Sequence, residues 1–381
     1  MVVEILKRLF LVLLLIGGAV LTKPYWEEPV HQMMPGELSE TFDTAGDFTT
    51  SIIEDIDFDA LGQRASSLIS SFTEAEVETA AEDPETPELS VPEEQFFSIG
   101  NVELGDSREA VEEMYGTPER ESTNEYGLEW SAYHENYQNF MKVAYDEEDM
   151  VRGLYTNQDM LSSRSDISLG ASQETVNEIL GEPEETLQSG HHVYQIDDES
   201  AYDLYVLEGV HATIFYDVHQ GDRVTAIQLI DEGLESSRDG LFAPGSEALA
   251  EGLEYQLFDL TNSARVKHDL PPIKWHEPVS VTARAHSTDM AENDYFSHQN
   301  QDGQSPFDRM AEDDISFSTA GENLAAGQPS SIFAHQGLMN SEGHRENILQ
   351  SRFEELGVGV AFNENDQPFY TEKFLTRSWF N

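Results

Sequence analysis

No cysteine occurs anywhere in the 381 residues. Disulfides, thiolate zinc sites, cysteine nucleophiles and lipidated-cysteine anchors are excluded together, so packing alone holds the fold. Basic residues are scarce. Only 20 Lys and Arg stand against 74 Asp and Glu, a formal net charge of −54. A field of that sign repels phosphate backbones and excludes nucleic acid as a partner. The same excess keeps a chain soluble at high ionic strength, where salt screens its self-repulsion. No His-Glu-x-x-His sequence is present, so the zinc-protease helix is missing as well. Long apolar runs are missing too, with one exception.

The exception is residues 9–21, thirteen apolar positions preceded by Lys7-Arg8 and closed by Lys23-Pro24. Residues 1–23 read as a signal peptide or, with Val2, Val3, Ile5 and Leu6 added to the run, as a signal anchor with its basic end inside. The chain beyond residue 23 is then extracytoplasmic: anchored at the cell membrane or secreted. Residues 24–95 carry 19 acidic residues and one basic residue, Arg64. The apolar content of 73–95 is too low to repay ordering entropy, so the whole region reads as an acidic, disordered tether.

Residues 96–240 hold an internal repeat. Residues 104–119 recur as 169–184, nine of sixteen positions being identical at an offset of 65. Each copy predicts a short helix capped by Ser107 or Ser172, with Val111/Met114 or Val176/Ile179/Leu180 inward, and stopped at Gly116 or Gly181. Period-two segments come next at 143–145 and 151–155, then at 202–207, 212–216 and 224–230. The expectation is a pseudo-symmetric pair, about 100–165 and 166–232, each a helix on a small antiparallel sheet. No nucleophile, base and orienting group gather in it, so its expected work is positioning or partner binding.

Residues 241–245 form a boundary, after which Leu249, Leu253, Leu257, Leu260 and Ala264 line one helix face that ends before Pro271-Pro272. Further helices are expected from Pro278, over 331–340 and over 345–349, with strands at 356–362 and 369–375. Helices around a small sheet make an α/β/α sandwich over 246–381. The fold class is α+β, with the sandwich preceded by the tandem helix-plus-sheet repeat domain.

The sandwich carries Asn262-x-x-Arg265, Ala285-His286-Ser287-x-Asp289-Met290, Tyr295-Phe296-Ser297-His298, Asp308-Arg309 and Gly321-Glu322-Asn323-Leu324-Ala325. Asn340-Ser341-Glu342-Gly343-His344-Arg345-x-Asn347, Gly357-Val358-Gly359-Val360 and Thr371-x-x-Phe374 complete the series. In order and spacing this resembles the CAP superfamily of cysteine-rich secretory proteins, antigen 5 and pathogenesis-related-1, in its bacterial SCP-like branch. The repeat before it is similar to the CAP-associated N-terminal domain of Bacillus-type envelope proteins.

The resemblance implies a cavity with two His and two acids: His298, Glu322 and His344, with Ser341 at the second acid's position and Glu342 beside it. Two neutral imidazoles and a carboxylate converging are also the chemistry of a zinc site with an open position, so His298, His344 and Glu322 are candidate metal ligands and Zn the candidate cofactor. His286 on an apolar helix face, Asn262 and Arg265 read as structural. The functional expectation is a non-catalytic cleft for an unidentified protein, peptide or lipid ligand at the cell envelope. The alternatives are a metal-assisted hydrolase with Glu322 as base, acting on peptide or cell-wall material, and lipid or sterol binding, which the family resemblance alone supports.

Overall fold

The computed structural model describes residues 84, 86–189, 191–197 and 200–378. The leader at 1–23 and most of the tether lie outside the described residues. Residues 88–95, the last part of the segment expected to be disordered, are held in place. Glu103 accepts from the backbone N–H groups of Glu93, Glu94 and Gln95 at 2.9, 3.0 and 2.6 Å, and Asn101 Nδ2 donates to the Glu88 carbonyl at 2.9 Å. Hydrogen bonds with Glu103, Asn101 and Arg164 thus supply the order that the apolar content of this stretch cannot.

The repeat domain runs β1 (Phe97–Ile99), α1 (Arg108–Tyr115), β2 (Arg120–Thr123), β3 (Glu129–Glu135), β4 (Gln138–Tyr145), β5 (Val151–Thr156) and β6 (Leu161–Ser163). The second copy runs α2 (Gln173–Leu180), β7 (Thr186–Ser189), β8 (His192–Gln195), β9 (Tyr202–Leu207), β10 (Val210–Asp217), β11 (Arg223–Asp231) and α3 (Glu232–Ser236). Both repeat helices begin as expected: Ser107 accepts from the Ala110 N–H and Ser172 from that of Thr175. Both end at a glycine with positive φ, 75° at Gly116 and 89° at Gly181, a conformation that other residues adopt at a cost.

The inward stripe is narrower than the apolar spacing suggests. Val111 and Val176 are fully buried, whereas Met114 and Ile179 are exposed. A two-turn helix lying on a sheet touches it along a single i, i+4 line, which Tyr115 and Leu180 complete.

The two copies do not keep separate sheets. Seven strands join in the order β2-β3-β4-β5-β11-β10-β9, with β5 and β11 antiparallel at the centre and Tyr155 opposite Gln228. Pleating sorts the side chains. Val143, Leu154, Ile214, Ile227 and Leu229 face α1 and α2, while Trp130, Phe140, Tyr155, Phe215 and Ile230 face the other way.

That second face is covered by the C-terminal domain, which runs α4 (Glu247–Lys267), β12 (Lys274–Trp275), α5 (Glu277–Glu292), α6 (Pro306–Glu312), β13 (Phe317–Ala326), α7 (Ser331–Asn340), α8 (Glu342–Ile348), β14 (Glu355–Phe362) and β15 (Pro368–Arg377). Its four strands are ordered β12-β14-β15-β13. α5 and α6 lie on one face and α4, α7 and α8 on the other, the expected α/β/α layering. α5 approaches so closely that a Cβ on Gly359 of β14 would stand 2.0 Å from the Arg284 nitrogen.

Leu260 of α4 and Ile332 of α7 complete the apolar cluster on the repeat sheet. Asp259 is buried at the same junction, 3.2 Å from Arg120 and 3.8 Å from Lys142, and accepts from the Tyr137 hydroxyl at 3.1 Å. The described residues therefore form one compact unit, and the repeat domain gives one whole sheet face to its own neighbour.

Gly252 of α4 sits where this contact is tightest: a Cβ would lie 2.1 Å from the Thr123 carbonyl oxygen. Gly252→Ala is expected to lose about 1–3 kcal/mol in urea unfolding through overpacking, although Ala is the better helix former. Gly337→Ala in α7, where a Cβ would meet nothing within 4 Å, is expected to gain up to about 1 kcal/mol in the same measurement.

Candidate functional site

Glu322 lies in the middle of β13, the edge strand of the C-terminal sheet, with its side chain 2% exposed. A carboxylate so far from water needs partners, and three elements supply them. Lys373, opposite Glu322 on β15, places its Nζ 2.5 Å from Oε2. Arg309 of α6 donates from Nη2 to the same oxygen at 2.8 Å, and His298, in the loop between α5 and α6, reaches Oε1 through Nδ1 at 2.9 Å. Burial pushes the Glu322 carboxyl up, but His298, Lys373 and Arg309 outweigh it and bring the pKa down to about 2. Lys373 moves to about 8 through its own burial, against the pull of Glu322.

An ionised carboxylate only accepts, so the bond to Glu322 assigns the His298 proton to Nδ1 and leaves Nε2 with a lone pair in the neutral ring. The His298 side chain is 54% exposed. A solvent-facing imidazole therefore hangs on a buried anion.

His344 enters from α8. Its backbone carbonyl accepts from Asn323 Nδ2 at 3.2 Å, and Asn347 Nδ2 donates to the Glu322 carbonyl at 3.3 Å, which ties the helix to β13. His344 Nδ1 is hydrogen-bonded to the Ser341 hydroxyl at 2.8 Å. Burial, then the nearby His298 charge, lowers the His344 pKa, so the ring favours its neutral form. His298, Glu322 and His344 come from a loop, a strand and a helix. Ser341 thus fills the expected second-acid position as a partner of His344, whereas Glu342 is exposed at the first position of α8.

The remaining singled-out residues hold the surrounding structure. Asn262 exchanges two bonds with Ile273, Nδ2 to its carbonyl at 3.0 Å and Oδ1 from its N–H at 2.8 Å. Arg265 is fully buried and donates to the carbonyls of Pro271, Ile348 and Gln350. His286 is buried beneath the site, its Nε2 3.0 Å from the Ser297 carbonyl, and burial with Arg309 nearby lowers its pKa to about 4.

Two site residues are hard to find from sequence. Asp308-Arg309 looks like a local ion pair, yet neighbouring helix positions do not face each other. Asp308 instead closes a capping box with Ser305, freeing Arg309 for Glu322. Lys373 carries a usable signal: Glu372-Lys373 interrupts an otherwise apolar strand, which marks charges that need buried partners.

The geometry does not fit the zinc expectation. Both Glu322 oxygens are engaged, Oε2 by two cations, and two imidazoles fall short of the three protein ligands of a catalytic zinc. Among the described residues no group of three or more His, Asp or Glu could hold a metal ion.

Residues 104–240 match the family described as CAP-associated N-terminal, and residues 258–374 match the cysteine-rich secretory protein family, CAP. An uncharacterized membrane protein of Bacillus subtilis strain 168, YlbC, is 44% identical over 124 residues, 32% of this chain and 34% of its own. A second B. subtilis protein, YkwD, is 46% identical over 122 residues, 32% of this chain and 46% of its own. The chain thus aligns with less than half the length of either relative. Among solved structures, an extracellular protein containing an SCP domain from Bacillus anthracis Ames aligns with a TM-score of 0.62 and 25% identity over 77% of this chain and 99% of its own. A cysteine-rich secretory protein from Staphylococcus aureus Mu50 aligns at 0.58 and 15% identity, again over 77% and 99%, a likeness of fold.

Glu322→Gln is expected to lose roughly 3–5 kcal/mol in urea unfolding, because it strands Lys373 and Arg309 without an anion. Glu372, one position from Lys373 on the opposite face, has neutral partners: the Thr261 hydroxyl at 2.7 Å and Asn323 Nδ2 at 3.0 Å. Burial raises its pKa from 4.5 to about 7. The folded state then keeps a proton that the unfolded chain gives up, so this group's contribution is full below about pH 4.5 and is lost as pH rises through about 7. Glu372→Gln is expected to be more stable than the parent at pH 8, by about 1–3 kcal/mol, with the gap closing at pH 4, as read by urea unfolding at each pH.

Proposed function

Since this chain carries a CAP domain behind a CAP-associated N-terminal domain, we propose that it is an extracytoplasmic binding protein whose His298–Glu322–His344 cleft holds a ligand without turning it over. The observation that carries this reading is the exposed His298 ring fixed by a buried, permanently ionised Glu322. A carboxylate whose pKa is about 2 is a poor general base near neutrality, which weighs against hydrolysis driven by Glu322. The same anion fixes the tautomer and orientation of His298, as a binding group requires. His298 Nε2 accepts in the neutral ring, so the ligand offers a donor such as an amide N–H or a hydroxyl, and a peptide suits that chemistry.

The extracytoplasmic placement rests on the apolar run at 9–21 behind Lys7-Arg8. It also rests on the likeness to the extracellular B. anthracis protein and to a B. subtilis protein named for the membrane. Among the described residues no helix is long and apolar enough to cross a membrane, so any attachment is assigned to the N-terminal segment.

The test passes a soluble peptide library over immobilised full-length protein and reads the mass of each retained peptide. Intact peptides are expected to be retained, and retention to fall roughly tenfold or more in His298→Ala/His344→Ala. Equal retention by both proteins would remove the cleft from the binding role. Peptide cleavage that disappears in Glu322→Gln would establish the hydrolase instead.

A further inference from the structure

The half of the repeat sheet built by β9, β10 and β11 turns one face towards α7 and the loop after β13. Packing closes most of that face, where Phe333 of α7 meets Tyr202 and Phe215 edge-on with centroids 5.2 Å apart. Beyond these rings the packing stops and leaves a cavity of about 450 Å³, within the range of small-molecule sites. It is separate from the His298 cleft. Tyr126 and Tyr194 join the same three aromatics in its wall, so most of what a ligand would touch is apolar.

Three polar atoms lining this hollow have no hydrogen-bond partner among the described residues: Gln228 Nε2 on β11, His211 Nδ1 on β10 and Gln328 Oε1 in the loop after β13. Gln228 is 2% exposed. A buried donor left without a partner is costly, so such atoms call for a partner. Such atoms occur elsewhere among the described residues, but these three line one aromatic-walled space, where an occupant of the cavity would partner them. The charged pair at its edge offers nothing to an ionic ligand. Arg238 and Glu235 lie 3.2 Å apart, and Glu235 also accepts from the Tyr126 hydroxyl at 2.7 Å.

We propose that this cavity is a second binding site, for an uncharged small molecule with an aromatic or alicyclic body and one carbonyl or hydroxyl oxygen that accepts from Gln228 Nε2. Its occupant touches β10 and β11 of the repeat domain and α7 of the CAP domain together. It therefore strengthens the contact between the two, and binding appears as a rise in melting temperature.

The test uses Prodan, a neutral naphthalene bearing one ketone, titrated onto the full chain and read by its emission. A saturable blue shift and a raised melting temperature are expected. Gly337 of α7 lines the cavity, and a Cβ there meets nothing within 4 Å, so Gly337→Phe brings a large side chain to the cavity wall with room for its Cβ. It is expected to weaken Prodan at least about tenfold. Gln228→Leu keeps the volume and loses the donor, for an expected weakening of roughly 3- to 10-fold. His298→Ala/His344→Ala is expected to bind Prodan as the parent does, which separates this site from the cleft. Far-ultraviolet circular dichroism checks each variant, and Gly337→Leu replaces Gly337→Phe if the latter does not fold. Absence of a saturable shift with the full chain, or equal affinity in the filled variants, would overturn the site. Equal affinity in Gln228→Leu would overturn the assigned hydrogen bond.

Discussion

Moving a carboxylate from water into a protein interior is costly, and Glu322 meets that cost with Arg309, Lys373 and His298. Each partner comes from a different element, so satisfying one anion registers α6 against β13, aligns β15 beside it and holds the loop that carries His298. His344 is brought alongside by backbone ties to the same strand. The site is thus organised by a charge that does not itself face the solvent. That arrangement gives a well-oriented imidazole and keeps Glu322 itself from acting as a base near neutrality.

The same logic runs through the rest of the molecule. With only 20 basic residues, the chain still commits several of them to its interior. Lys142, Arg265 and Lys373 are fully buried and Arg309 nearly so. Asp259 draws Arg120 and Lys142 to the junction of the two domains, and Asp217 draws Arg345 there at 2.9 Å. Several of these cations sit against buried acids, so the exterior keeps the strong negative excess of the composition, a surface that repels its own copies and other polyanions. The two domains also form a single body, because the repeat sheet has apolar residues on both faces and each face is covered.

Covering a seven-stranded twisted sheet with separate helices leaves gaps where the layers diverge. The aromatic cavity beside α7 lies at such a place, bounded by strands of one domain and a helix of the other. Its unpartnered amide and imidazole atoms contrast with the full satisfaction of Glu322. At the first site a buried anion holds an exposed ring, whereas the second is an aromatic-walled hollow with several unpartnered polar atoms. The two ask for different ligands.

Local chemistry was legible in the chain itself. The caps at Ser107 and Ser172, the stops at Gly116 and Gly181, the long α4 stripe, the α/β/α layering and the family resemblance all rest on neighbours within a few residues or on motif spacing. His298 and Glu322, which the structure joins by a hydrogen bond, are both singled out by motif spacing. Pairings across distance were not. β3 and β13 lack a clean alternation because their residues answer to partners on adjacent strands and helices. Met114 and Ile179 look inward by spacing yet are exposed, since only the sheet decides how wide a stripe it covers. A linear order records which residues are available, while hydrogen-bond and charge partners are chosen by proximity in space. That is why the fusion of both repeats into one sheet, the pairing of Arg309 and Lys373 with Glu322, and the cavity between the domains were settled only by tertiary packing.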